Sequence, residues 1–320
     1  MTVFGERLFP RRSTAVAGSP APPRPPRRLP ASMVPLAPLT SAQILARGVA
    51  GLIVVLLVGF VVNVLVLSHL QHAVAQQQVG NVFRDELALG TAPVSEGDFE
   101  DVLLDNGTPV ALLQIPSIGV SEYVVEGTSS TELRTGPGHR RDTVLPGQAG
   151  VSYIMGRAAS YGGPFSRLQE LAPGQTFTVL TGQGKQTFSV IGVRYAGDPA
   201  PPSPTAGQSR LVLESARGPA YIPSGVVRVD ADLIGKAEDP GPRMTTYAML
   251  SRSEKSMATD TSTAWALVFA LQLFVIAEIA AVWTYRAIGP QKAWIVFAPT
   301  LLLAGIFVAD QINRFLPNLL

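Results

Sequence analysis

Few side chains in this sequence are equipped for chemistry. Among 320 residues there is no cysteine, and the only histidines are His69, His72 and His139. That removes disulfides, thiolate metal sites and thiol nucleophiles, and it leaves few general bases. Two short apolar runs end at polar positions where a barrel would place a site: Val151-Ser-Tyr-Ile-Met leads to Gly156-Arg157, and Arg210-Leu-Val-Leu leads to Glu214-Ser215-Ala216. Serine-dependent hydrolysis would have to draw on Ser215, Glu214, Arg157 and His139, and it needs a base within hydrogen-bond reach of the serine. Arg157 stays protonated at physiological pH and cannot shuttle a proton, and Ala216 has no lone pair to attack a carbonyl. Glu214 is placed to pair with Arg157, while Arg157, Arg194 and Arg210 are candidates for one basic face. A second set of polar residues, Asn63, Gln272 and Glu278, stands inside membrane-length apolar runs. A mid-membrane carboxylate is costly without a partner or a proton, so these three are candidate intramembrane contacts. Zinc signatures, calcium loops and phosphate loops are missing, and Gly182-Gln-Gly-Lys reads as a hairpin turn. No metal or cofactor is expected.

The elements that must position these residues are short strands separated by turn signals. Val110-Ala-Leu-Leu-Gln-Ile, 120–125, 152–155, 175–181, 186–194, 210–214 and 226–229 read as strands. Residues 130–134 and 164–171 read as short helices, the second with proline in an early position. Many short strands with glycine-rich turns and few helices favour a small closed barrel, and no crossover pattern suggests a dinucleotide fold.

Around this domain the chain is built for a membrane. Residues 1–42 form a basic, proline-rich tail expected to be disordered and cytoplasmic, with lipid or a proline-recognition module as candidate ligands. Residues 46–70 are long and apolar enough to span a bilayer, and the arginines upstream keep the N-terminus inside. Residues 71–107 are expected to form an external stalk, 108–232 the barrel and 233–263 an extended linker rich in Gly, Pro, Ser and charge. Spans at 264–285 and 291–312, joined through Arg286 and Lys292, would return the chain and leave the C-terminus outside. The net charge of +2 arises without aromatic interleaving of its basic cluster, which argues against nucleic acid as a partner.

The landmarks Leu113-Gln-Ile-Pro-Ser-Ile-Gly, Val125-Glu-Gly-Thr, Leu133-Arg-Thr-Gly-Pro-Gly-His, Leu145-Pro-Gly-Gln-Ala-Gly and Tyr161-Gly-Gly-Pro-Phe-Ser-Arg-Leu-Gln-Glu-Leu resemble the sortase family. The likeness is greatest to the class E enzymes of actinobacteria, and the alanine-, proline- and glycine-rich composition suits a high-GC source. It covers about residues 108–232 and implies a closed β-barrel outside the cell, mainly β in class, held by transmembrane helices. Sortases are transpeptidases that use a cysteine thiolate, a histidine and an arginine. The matching positions here hold Ala216, Arg157 and Ser224, with Arg228 four residues beyond the last. The resemblance therefore implies a degenerate member with no catalytic residue in place. His139 lies in a turn that the family also carries.

These readings converge on a multi-pass plasma-membrane protein of the cell envelope with an inactive sortase-like barrel. A structural or accessory role in a complex with other integral membrane proteins is the leading expectation. The alternatives are a stand-alone pseudosortase that binds extended peptides or sorting signals through a cleft of Arg157, Glu214, Ser215, Arg228 and His139, and a weak serine-dependent hydrolase. An open groove would favour peptide binding, and polar helix faces buried against other subunits would favour the complex.

Overall fold

The computed structural model describes residues 40–98, 100, 102–262 and 264–320; nearly all of the basic tail expected at 1–42 lies outside the described residues. The strands are β1 Pro109–Ile115, β2 Val120–Glu126, β3 Gly138–His139, β4 Gly150–Met155, β5 Thr176–Thr181, β6 Gly184–Tyr195, β7 Ser209–Arg217 and β8 Gly225–Leu233. They close into a barrel in the order β1-β2-β3-β4-β7-β8-β6-β5. Neighbours run antiparallel except β2 with β3 and β4 with β7. Closure satisfies the backbone of every strand without leaving an edge to protect.

Side chains of alternate residues fill the interior. Along β7, Leu211 and Leu213 join Val227, Val229 and Ala231 of β8 in the core, while Phe177 and Phe188 stack with ring centroids 5.7 Å apart. The intervening residues Arg210, Val212, Glu214 and Ala216 project from the other face. Two expected helices shrink to single 3-10 turns, Glu132–Arg134 and Leu168–Glu170. Glycine and proline around 162–164 favour a tight turn over a longer helix.

Three helical stretches are long and apolar enough to cross a membrane, at Ser41–Leu89, Ala264–Ala287 and Pro290–Arg314. The first comprises α1 Ser41–Val62 and α2 Ser68–Leu89, joined without a break by a π-helical turn at Asn63–Leu67. The others are α3 Ala264–Ala287 and α4 Pro290–Arg314. Together they make this a multi-pass membrane protein with an extramembranous barrel. α1 and α4 cross at small residues: a Cβ added to Gly59 would lie 2.8 Å from the Gly305 carbonyl carbon. Close backbone approach is the usual basis of helix association in lipid, where apolar burial gives little net drive. Ala270, Phe274, Ala304 and Val308 pack beside that crossing with Leu52, Val55 and Leu56.

α2 lies against the barrel. Gln76 behaves as a surrogate strand residue, donating to the carbonyls of Tyr123 (3.0 Å) and Thr135 (2.8 Å) and accepting from the Tyr123 N–H (2.7 Å). Gly80 leaves room for the Tyr123 ring, and Phe83 meets that ring edge-on at 6.0 Å. His72 stands 3.0 Å from Glu122. Residues 234–262 hold little regular structure beyond the 3-10 turns Tyr247–Met249 and Arg252–Glu254, and they are tied down: the Glu238 N–H reaches Gly147 and its carbonyl receives the Ala149 N–H. Buried Glu96 accepts from the Thr245 N–H and hydroxyl and pairs with Arg243 at 2.9 Å. Backbone groups that a free linker would give to water thus find partners on the barrel.

Candidate functional site

The site is built where β4 and β7 end side by side. Gly156 follows β4 because a Cβ there would meet the Phe165 ring at 2.5 Å, and this close packing turns the next residue, Arg157, inward. Arg157 is fully buried. Its Nε donates to the Leu133 carbonyl (3.2 Å), Nη2 to the Ser130 carbonyl and hydroxyl (2.9 and 2.7 Å), and Nη1 to the Ser160 hydroxyl and the Leu320 carbonyl (3.0 and 3.3 Å). Four of these five acceptors are neutral carbonyls or hydroxyls of residues 130–160, the fifth is an oxygen of Leu320, and the guanidinium also lies 5.1 Å from the centre of the Tyr161 ring. No Asp or Glu side chain pairs with it among the described residues. Burial lowers its pKa to about 10, which leaves it a cation at neutral pH.

The fifth acceptor comes from a segment the sequence did not single out. Beyond α4 the chain turns at Phe315 and runs through Leu316–Leu320 into the cleft. The Leu319 carbonyl receives the Ala158 N–H (2.9 Å), and the Leu320 carbonyl receives the Ser160 N–H (3.2 Å) and the Ser160 hydroxyl. Leu319 and Leu320 pack with Leu133, Met155 and Ala216. Asn318, fully buried, donates through Nδ2 to the carbonyls of Thr128, Ser253 and Lys255. Beside Leu320 a pocket of about 160 Å³ stays open, bordered by Ser166, Gln169, Arg217 and Tyr221.

The remaining candidates are dispersed. Glu214 does not pair with Arg157: its Oε2 accepts from Arg228 Nε at 2.7 Å, because β7 and β8 place those residues directly opposite each other. Ser215 projects to the opposite face from Ala216 and donates to the Gly156 carbonyl at 2.8 Å. His139 is buried between Glu126 Oε2 (2.8 Å from Nδ1) and the Val144 carbonyl (2.9 Å from Nε2). Ser215 and His139 therefore make no nucleophile–base pair, and the hydrolase reading loses its geometry. Ser224 is exposed, with its hydroxyl on the Arg217 carbonyl. The expected basic face is cancelled strand by strand, since Arg194 bonds Asp230 and Arg210 bonds Asp232. No cluster of three or more His, Asp or Glu residues suited to a metal occurs among the described residues.

In the membrane, Asn63 accepts from Asn313 Nδ2 on α4, at the start of the π-helical turn. Gln272 is exposed on α3, and Glu278 is half-buried with one carboxyl oxygen lacking a partner among the described residues.

This geometry can be set beside known proteins. A family profile for the sortase domain matches residues 113–215. Sortase D of Bacillus subtilis (strain 168) is 29% identical over 87 residues, which are 27% of this chain and 42% of that protein. The chain thus spans less than half the length of the curated relative it matches. Among solved structures, a Clostridium perfringens Sortase D5 transpeptidase is similar at 19% identity and a TM-score of 0.41, covering 52% of this chain and 99% of its own. Sortase E1 from Streptomyces coelicolor, solved with a tripeptide in the active site, is similar at 20% identity and a TM-score of 0.36, covering 41% and 91%. The relationship to the sortase superfamily is distant, and the cysteine that sortase transpeptidation requires is absent. The chain is thus a membrane-anchored protein with a sortase-like domain that lacks the cysteine of sortase transpeptidation, consistent with loss of that catalysis.

Proposed function

We propose that this protein is a non-catalytic accessory subunit of a cell-envelope membrane complex, of class E sortase descent in an actinobacterium, with its N-terminus cytoplasmic and its barrel outside. The observation that carries the reading is the exposure of α3. Gln272 is exposed together with Trp265, Phe269, Ile276, Ile279 and Trp283, and Glu278 keeps a carboxyl oxygen without a partner among the described residues. An amide and a carboxyl at mid-membrane depth are costly against lipid and inexpensive against a polar group on another helix. The cleft supports the same reading from the other side, since the segment from Leu316 to Leu320 occupies the place beside Ala216 that a substrate would need. Affinity purification of the tagged protein from native membranes in mild detergent, followed by mass spectrometry, tests the proposal. Stoichiometric recovery of the same integral membrane proteins is expected, reduced several-fold by Glu278→Leu. A protein purified without specific companions would overturn it.

Peptide binding by the cleft is the second reading. It is favoured by Arg157, whose guanidinium already donates to an oxygen of the Leu320 main chain.

A further inference from the structure

Several features compete for a role. The buried Glu126–His139 pair, the His72–Glu122 contact and the Asn63–Asn313 bond each tie together parts of this chain, with nothing in them that points to a ligand. The cleft around Arg157 differs. A fully buried cation there has no Asp or Glu partner among the described residues, and one of its acceptors is an oxygen of Leu320, supplied by a short segment that enters from a membrane helix. With that segment removed, Nη1 would face a place shaped for a peptide oxygen, and the Ala158 and Ser160 N–H groups would lose their acceptors. Unpaired buried donors are costly, so the cleft has an intrinsic demand for an extended peptide backbone.

We propose that the cleft formed by Ser130, Leu133, Arg157, Ser160 and Ala216 is a peptide-docking site whose ligand is the chain's own Leu316–Leu320 segment, held reversibly, so that a peptide of this sequence binds in trans when the tethered copy is displaced. Recognition has three parts. The backbone is read by the Ala158 and Ser160 N–H groups and by Arg157; two leucines fill the apolar floor at Leu133, Met155 and Ala216; and an asparagine binds three carbonyls through one amide. Arg157 and Ala216, which look like losses beside a cysteine transpeptidase, are here working parts of the dock. Arginine supplies the donor that a histidine could not hold charged at neutral pH, and alanine leaves room for the leucines. Exchange is feasible because the occupant is small. Burial of two leucines and an asparagine is set against the entropy of ordering a five-residue segment. The tether adds a local concentration on the order of millimolar, which any free peptide must overcome.

The test uses the full chain in detergent or nanodiscs and a fluorescein-labelled hexapeptide, Phe-Leu-Pro-Asn-Leu-Leu, read by anisotropy. Leu319→Lys with Leu320→Lys unseats the tethered copy, since two ammonium groups would be forced into an apolar floor beside a guanidinium. Saturable peptide binding is expected on this variant, at least about tenfold tighter than on the unsubstituted chain. Adding Arg157→Gln should weaken it about tenfold again, and a peptide with Asn318→Ala should bind less tightly than the parent sequence. Absence of binding to a folded unseated variant, or equal binding with and without the tethered copy, overturns the proposal. Should the unseated variant fail to fold, the otherwise intact chain decides the matter. Because the sequence contains no cysteine, Ala158→Cys with Leu320→Cys gives a unique pair for a short bismaleimide. Cross-linking that free hexapeptide suppresses is the expected result. No cross-link, or one indifferent to peptide, refutes the idea. These readouts concern occupancy of the cleft and do not depend on whether the protein has companions in the membrane.

Discussion

The wall of β6, β7 and β8 and the cleft at the end of β4 both bury arginine, and they do so by opposite means. On the wall each arginine meets a carboxylate: Arg194 with Asp230, Arg210 with Asp232, and Arg228 with Glu214. Strand register supplies these partners, since Glu214 and Arg228 lie opposite each other and Arg210 faces Asp232. In the cleft, Arg157 is more deeply buried than any of them and is satisfied by two main-chain carbonyls, two hydroxyls and an oxygen of Leu320. The wall is complete within the barrel, whereas the cleft is complete only when residues some 160 positions away arrive. A charge balanced locally stabilises a domain. A charge balanced by a distant segment couples that segment to the domain.

The largest expected effect breaks the cleft's side of this comparison. Arg157→Met keeps the apolar stem and removes all five donations, leaving the carbonyls of Ser130, Leu133 and Leu320 without this donor. Unpaired buried acceptors cost about 1–3 kcal/mol each when no water replaces the donor, partly offset here by the lost cost of burying a cation. A net loss of about 3 kcal/mol is expected, read as a Tm lowered by roughly 5–10 °C, with proteolytic cleavage appearing near Leu316. An unchanged Tm with the segment still protected would show that the leucines alone hold it, and the contrast with the wall would lose its meaning.

A smaller effect is expected from the wall. Glu214→Gln preserves shape and one hydrogen bond to Arg228 while removing the charge. Arg228 is partly exposed and can turn its guanidinium to water, so the loss should be about 1 kcal/mol by thermal or urea unfolding. The segment at Leu316–Leu320 should remain protected from protease in this variant. A change in that protection would mean that wall and cleft are coupled through β7, which the separate hydrogen-bond sets give no reason to expect.

The same contrast explains what could be read in the sequence. Strand alternation, turn glycines and apolar run lengths are local signals, and they were enough for the barrel, seven of its eight strands and three membrane-length helices, while the two-residue β3 was read as a turn. The lack of any cysteine was equally legible, because the absence of a residue type needs no coordinates. The partner of Glu214 was not, since Arg157 and Arg228 are both arginines near strand ends and only register separates them. Ser215 and His139 looked compatible as residue types, yet Ser215 spends its hydroxyl on Gly156 and His139 is enclosed by Glu126 and Val144. Least legible was the segment after α4. Leu316-Pro-Asn-Leu-Leu carries no periodicity, and its role rests on Asn318 meeting Thr128, Ser253 and Lys255 from three other parts of the chain.

A third kind of arginine sharpens the scale with the smallest effect. Arg167 and Glu170 form a bidentate pair on the surface, Nε to Oε1 at 2.9 Å and Nη2 to Oε2 at 2.5 Å, beside a turn whose Leu168 is buried in the barrel core, and Arg167 also donates to the Ile118 carbonyl at 3.4 Å. The hydrogen bond from Arg167 holds the Glu170 carboxyl below its usual range, and the same bond raises the guanidinium. Because the folded-state value of the carboxyl is depressed, its contribution is present above the ordinary carboxylate range and lost as pH falls through the folded value. Both groups are fully exposed, so water and salt screen the pair at all pH values where it exists. Arg167→Ala should leave the Tm at neutral pH in 0.15 M salt within error of the parent, and any difference seen at low salt should vanish as the carboxyl protonates. Geometry here is as good as at Arg194 or Arg228, so a measurable loss in salt would mean that hydrogen-bond shape, rather than burial, ranks these arginines. The expected null result assigns the ranking to burial, and it leaves Arg157, buried without an Asp or Glu partner, at the top of it.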